Sequence, residues 1–162
     1  MSIKKINIWT FFNEEIRSFL SRKVTFFETY SAYLERILLN QVREHFRQLE
    51  QQLIFYNGDE IDESWVDDKL VGLDLFADSS PILVCESQKI RKPALDLLLS
   101  IDASLISRRI VFFSSGKRML KAFTKSEVEI ISIGAPAFWE GDKLLASLTK
   151  MYEFTFDEKA RR

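Results

Sequence analysis

The sequence predicts one α/β domain: a five-stranded, mostly parallel sheet with helices on both faces. Three observations predict it. Segments rich in β-formers alternate with helical segments five times. The run ILVC at 82–85 is continuously apolar rather than alternating, which suits a central strand covered on both sides, and RIVFF at 109–113 reads as another buried strand. The chain has 162 residues, 46% of them apolar, enough for a single sizeable core.

Residues 9–21 read as an amphipathic helix. Trp9, Phe12, Ile16, Phe19 and Leu20 recur at helical spacing and leave Glu14, Glu15 and Arg17 to solvent. Residues 1–22 are therefore expected to form an N-terminal helix on the flank of a domain spanning 23–151, with a partner-binding role as the alternative. VTFF at 24–27 is the first strand. A long helix over 31–50 follows, with Leu34, Leu38, Val42, His45 or Phe46, and Leu49 as its stripe. LIFY at 53–56 is the second strand, ended by the turn Asn57-Gly58.

Asp62 is placed to cap a helix over 62–75. The break Asp78-Ser79-Ser80-Pro81 leads into the third strand at 82–85. The next helix, 91–102, has Pro93 in its first turn and buries Ala94, Leu97, Leu98 and Ile101. After the fourth strand, 109–113, a short helix at 117–123 carries Met119, Leu120 and Phe123. VEIISI at 128–133 is the fifth strand, and Leu144, Leu145, Leu148 and Met151 mark a last helix over 140–152. The tail YEFTFDEKARR at 152–162 breaks the helical pattern. It reads as the start of a strand or as the lead into a further domain.

Composition narrows the function. Lys plus Arg number 23 against 24 Asp plus Glu, so the chain lacks the basic excess that phosphate contacts usually require. Cys85 is the sole cysteine, which precludes an internal disulfide and a cysteine-based zinc cluster. Its place within ILVC suits a buried structural thiol. His45, the sole histidine, lies at the edge of a helical stripe and reads as a packed side chain. No second histidine or cysteine completes a metal site, and no Ser or Cys nucleophile setting points to it as a base. No apolar run approaches the ~20 residues that span a bilayer. The start shows no signal-peptide pattern, so a cytoplasmic protein without a membrane partner is expected.

The strand–helix order invites a comparison with phosphate-binding loops. Such a loop needs glycines after the first strand, so that backbone N–H groups close around phosphates, and a lysine to reach the terminal ones. Here the loop is Phe27-Glu28-Thr29-Tyr30-Ser31, with neither residue type and with a carboxylate that repels phosphate. Glu86 follows the third strand where a magnesium-linked carboxylate would lie, and reads otherwise as a strand-end charge. Ser114-Ser115 occupies the place of a γ-phosphate sensor. Gly116-Lys117-Arg118 lacks the spacing of a phosphate loop and reads as a solvated helix start. No catalytic residue, cofactor or metal is therefore expected.

The segment 66–76 is the most informative. At about 100° per residue, Val66, Leu70 and Leu73 share a core face, Leu75 falls nearly opposite, and Phe76 lies to the side. Two arrangements satisfy this pattern. Either Leu75 and Phe76 project as a binding wedge, or the helix unwinds near Gly72 and both side chains fold back on the core.

These segments in order resemble the amino-terminal domain of the delta subunit of bacterial DNA polymerase III, the subunit that opens the sliding clamp. VTFFETYSAYLERI at 24–37 is similar to that family's opening strand, loop and acidic helix, although the family usually has a glycine in the loop. LDLFADSSPILVCESQKI at 73–90 is the closest stretch. RRIVFFSSGKRMLKAF at 108–123 and ISIGAPAFWEGDKLLASLTKMYEFTFDEKA at 131–160 are similar to its fourth and fifth strands with the helices that follow.

The resemblance implies a P-loop NTPase/AAA+-like fold without a functional P-loop. It implies that Leu75 and Phe76 enter a hydrophobic pocket on the clamp (the beta subunit), supported by Gly72, Leu73 and Asp74. Other clamp-loader subunits would be reached through C-terminal domains beyond this chain, and DNA only indirectly. A small-ligand enzyme of doubly wound fold, using loops 28–31, 86–90 and 114–117, and a regulatory pseudo-ATPase domain are the alternatives.

Overall fold

A computed structural model describes residues 2–71, 80–102, 105–106, 108–115 and 129–152. Its strands are β1 (Ser2–Asn7), β2 (Val24–Glu28), β3 (Ile54–Asn57), β4 (Ile82–Cys85), β5 (Ile110–Ser114) and β6 (Glu129–Gly134). Its helices are α1 (Ile8–Asn13), α2 (Ala32–Gln48), α3 (Glu63–Val66), α4 (Lys92–Ser100) and α5 (Gly141–Tyr152). The six strands form one sheet in the order β1-β6-β2-β5-β4-β3, and every ladder is parallel.

The central strands hold the sheet together because both of their faces are buried. In β2, Val24 and Phe26 face one core while Phe27 faces the other, and β5 splits in the same way. Register sets Phe27 opposite Phe113, and their rings stack with centroids 5.6 Å apart. One core packs against α3 and α4 through Trp65, Val66 and Ala94. The other packs against α1 and α2 through Phe11, Leu34, Leu38, Val42 and Phe46, with Leu144 of α5 at its margin.

This division follows from one rule. The connections β1-α1-β2 and β2-α2-β3 run one way across the sheet and use one face. The returns β3-α3-β4 and β4-α4-β5 run the other way and use the opposite face. A single crossover hand requires that arrangement.

The amino terminus differs from the expectation. The sheet has six strands, not five, because residues 2–7 pair with β6 from Ser2↔Glu129 to Asn7↔Gly134. The predicted helix over 9–21 is shorter: α1 ends at Asn13, and Ile16–Phe19 form a separate 3₁₀ turn. Two lysines, Lys4 and Lys5, masked the strand. They suit an edge, where charge discourages pairing with another chain. Phe11 anchors the segment by stacking on Phe19 at 5.3 Å and meeting Phe27 edge-on at 6.2 Å. Leu49, placed in the stripe of α2, is instead exposed beyond its end.

The helix expected over 62–75 is α-helical only to Val66 and continues as a π turn over Asp67–Val71. The helix expected at 117–123 and the tail 153–162 lie outside the described residues. No helix among the described residues is long and apolar enough to cross a membrane.

Candidate functional site

The carboxyl ends of β2, β4, β5 and β6 meet at one end of the sheet, and open parallel sheets bind ligands at that end. The structure brings together Glu28, Glu86, Ser114 and Ser115 there. It adds three residues that the sequence did not single out: Glu35, Gly58 and Ser132.

The loop after β2 is closed on itself. Thr29 N–H donates to the Ser114 carbonyl at 2.8 Å, extending the β2–β5 ladder by one residue. Thr29 Oγ1 donates to the Ser31 carbonyl at 3.0 Å. Ser31 caps α2 by accepting from Leu34 N–H at 3.2 Å. An anion cradle needs successive N–H groups pointing at a common centre, and here the Thr29 and Leu34 groups are engaged within the loop. No residue of 28–31 has positive φ.

Carboxylates gather at this end of the sheet. Glu28 is 97% buried at 3% exposure, and its Oε2 accepts from Ser132 Oγ at 2.9 Å. Glu35, in the first turn of α2, is also buried, and its Oε1 accepts from Glu86 N–H at 3.1 Å. A carboxylate there is favoured by the helix dipole, in the position where a phosphate would otherwise gain from it. Glu86 itself sits at φ 49°, ψ 42°, a left-handed conformation uncommon for a residue with a side chain. Its carboxylate pairs with Lys89 Nζ at 2.8 Å.

The fold around Glu86 also explains Gly58. A Cβ on residue 58 would stand 2.4 Å from the Glu86 carbonyl oxygen and 3.2 Å from Ile90 N. The Asn57-Gly58 turn is thus a point of close backbone approach. The electrostatic result is seen at Cys85. Burial, then the charges of Glu35 and Glu86, push its thiol up to about 11, with Arg43 opposing.

The second region of interest begins as expected. Asp62 caps α3 by accepting from Trp65 N–H at 2.8 Å, which together with Ser64 Oγ holds its carboxyl below the usual range. Trp65 meets Tyr56 edge-on at 5.1 Å. Val66 and Leu70 are fully buried, as the core-face pattern requires. The π turn at 67–71 takes more residues per turn than an α-helix, so the 100° extrapolation to Leu75 does not carry past it. Gly72, Leu73, Asp74, Leu75 and Phe76 lie outside the described residues.

His45 packs edge-on against Phe46 at 5.4 Å. Burial, then the nearby Arg109 and Arg17 charges, lower its pKa. Among the described residues, no group of three or more His, Cys, Asp and Glu is placed to hold a metal ion. No protein-family model and no curated protein sequence matches the chain.

Proposed function

We propose that this chain is an AAA+-like domain without a working nucleotide site, that it acts by binding another protein, and that the partner is a DNA polymerase sliding clamp. The observation that carries the first part is the closed, carboxylate-lined crevice after β2. A nucleotide there would meet Glu28, Glu35 and Glu86, loop 28–31 supplies neither lysine nor glycine, and Lys89 is already paired with Glu86. The strand that would hold a phosphate loop, β2, is central, and β5 lies beside it. Ser114-Ser115 therefore adjoins loop 28–31, the arrangement expected of a γ-phosphate sensor with nothing to sense.

The partner rests on the resemblance of residues 24–160 to clamp-loader delta subunits. In this reading Leu75 and Phe76, with Gly72, Leu73 and Asp74 around them, enter the clamp's hydrophobic pocket. Burying the two side chains fully is worth about 1.5–3 kcal/mol each, or roughly two to four decades of affinity together. A wedge that fits an open ring better than a closed one shifts the ring toward opening by that difference, with no hydrolysis in this domain.

Calorimetric titration of the clamp with wild type and with the double variant Leu75→Ala/Phe76→Ala tests this. Saturable binding, lost in a double variant whose circular dichroism is unchanged, is the expected result. Absence of binding by wild type removes the clamp as partner. Collapse of the double variant assigns the pair to the core.

A further inference from the structure

Among the described residues β3 is the last strand of the sheet and ladders only with β4. Its outer edge therefore presents main-chain groups of the kind that pair with another strand. Ile54 N–H donates to the Pro81 carbonyl at 3.0 Å, toward β4. By strand alternation the N–H and C=O of Phe55 point away from the sheet. Asn57 N–H is already taken by the Glu60 carboxylate, so the open edge centres on Phe55.

Side chains alternate in step. Ile54 and Tyr56 pack into the core beneath α3 and α4. Phe55 turns to the opposite face and is 45% exposed. On that face a groove of about 500 Å³ separates the strand from the outer side of α2, lined by Asn40, Arg43, Arg47, Leu53 and Phe55. The Arg43 guanidinium lies 5.5 Å from the centroid of the Phe55 ring, where a cation is attracted to an aromatic face. Arg47 is held by Glu44 through two hydrogen bonds of 2.8 and 2.7 Å. Arg43 forms no ion pair among the described residues. Two guanidinium groups against one carboxylate leave the groove with a net positive charge.

From this juxtaposition of an open strand edge, a half-exposed ring and an unpaired cation, we infer that the α2–β3 groove docks an extended segment of a partner protein as an added strand. An acidic side chain of that segment meets Arg43, and an apolar one covers Phe55 and Leu53. A free anion would use only the cation. The backbone edge selects a main-chain ligand, as strand-addition grooves between an edge strand and a helix do. The docking surface uses none of residues 72–79 and stands whether or not the clamp is a partner.

The test uses the whole 162-residue chain and a fluorescein-labelled octapeptide in which Val and Glu take turns at every second position with Thr between them, so that both types share the face toward α2, read by fluorescence anisotropy. Saturable binding is expected, weakened by up to about fivefold by Arg43→Glu, the range an exposed ion pair contributes. The same peptide with every backbone amide methylated, which blocks both of its edges, should not bind. Wild type that shows no saturation at millimolar peptide overturns the inference. Equal binding of the methylated peptide overturns the added strand, and Arg43→Glu binding as wild type overturns the acidic partner. Arg43 is solvent-exposed, and an unchanged circular dichroism spectrum of the variant excludes unfolding as the cause.

Discussion

Single residues carry much of the argument about chemistry, and Cys85 shows how. Its thiol is half-buried between the backbone of β4 and two carboxylates, Glu35 and Glu86, which disfavour the thiolate. Only the thiolate is a nucleophile. Alkylation by iodoacetamide should therefore be slow at neutral pH, with a rate that climbs toward pH 11 and not toward 9. Glu86→Gln should bring the midpoint down. A wild-type midpoint near 9 would mean that neither burial nor the carboxylates act on the thiol. The linkage has a definite sign. The folded thiol titrates above the unfolded one, so its contribution to stability is whole below about pH 9 and is lost as pH rises toward about 11. His45 has the opposite dependence. Its lowered pKa means that its contribution is present above the ordinary 6.5 and is lost as pH falls through the folded value.

Elements are set by caps and by the faces they bury. α2 begins where Ser31, in extended conformation at φ −149°, ψ 148°, accepts from Leu34 N–H. Its apolar stripe then packs on the face of the sheet that carries Phe27, Leu83 and Phe113. The cap does two things at once: it starts the helix, and it closes the loop in which Thr29 binds Ser114. Ser31→Ala should cost about 1 kcal/mol in urea unfolding, the usual value of such a cap. The m-value should stay the same, because the exposed surface does not change. A loss below a few tenths of a kcal/mol would show that the Ser31 hydroxyl is not what ends the loop. α3 behaves differently. Asp62 starts it, but after one turn the backbone widens into the π turn at 67–71, with Val66 and Leu70 still in the core.

At the scale of the whole molecule, the parallel sheet brings four loops to one end and fills that end with the protein's own side chains. A bound nucleotide would stabilise the fold by mass action. We expect ATP with magnesium at millimolar concentration to leave the melting temperature unchanged. A saturable rise would show that the carboxylate-lined crevice opens for a ligand. The opposite edge of the sheet, at β1, is guarded by Lys4, which pairs with Glu14 at 3.2 Å. β3 itself carries no lysine and has Arg43 and Arg47 of α2 beside it, and that asymmetry is why the docking surface is placed there.

The alternation of strands and helices over the described parts of 24–152, the buried character of Ile82–Val84 and Ile110–Phe113, and the Asp62 cap were legible in the sequence, because burial on both faces and capping are local demands on residue type. So was the residue content of loop 28–31, which has neither glycine nor lysine. β1 was not legible. A lysine-bearing edge strand has no periodic signature, and only its ladder with β6, more than a hundred residues away in sequence, defines it. Glu35 read as an ordinary helix-start charge, Ser132 as part of a strand, and Gly58 as a turn residue. Their meeting with Glu28 and Glu86 depends on which strands are neighbours. Strand order is decided by packing across the whole sheet, and no local pattern encodes it.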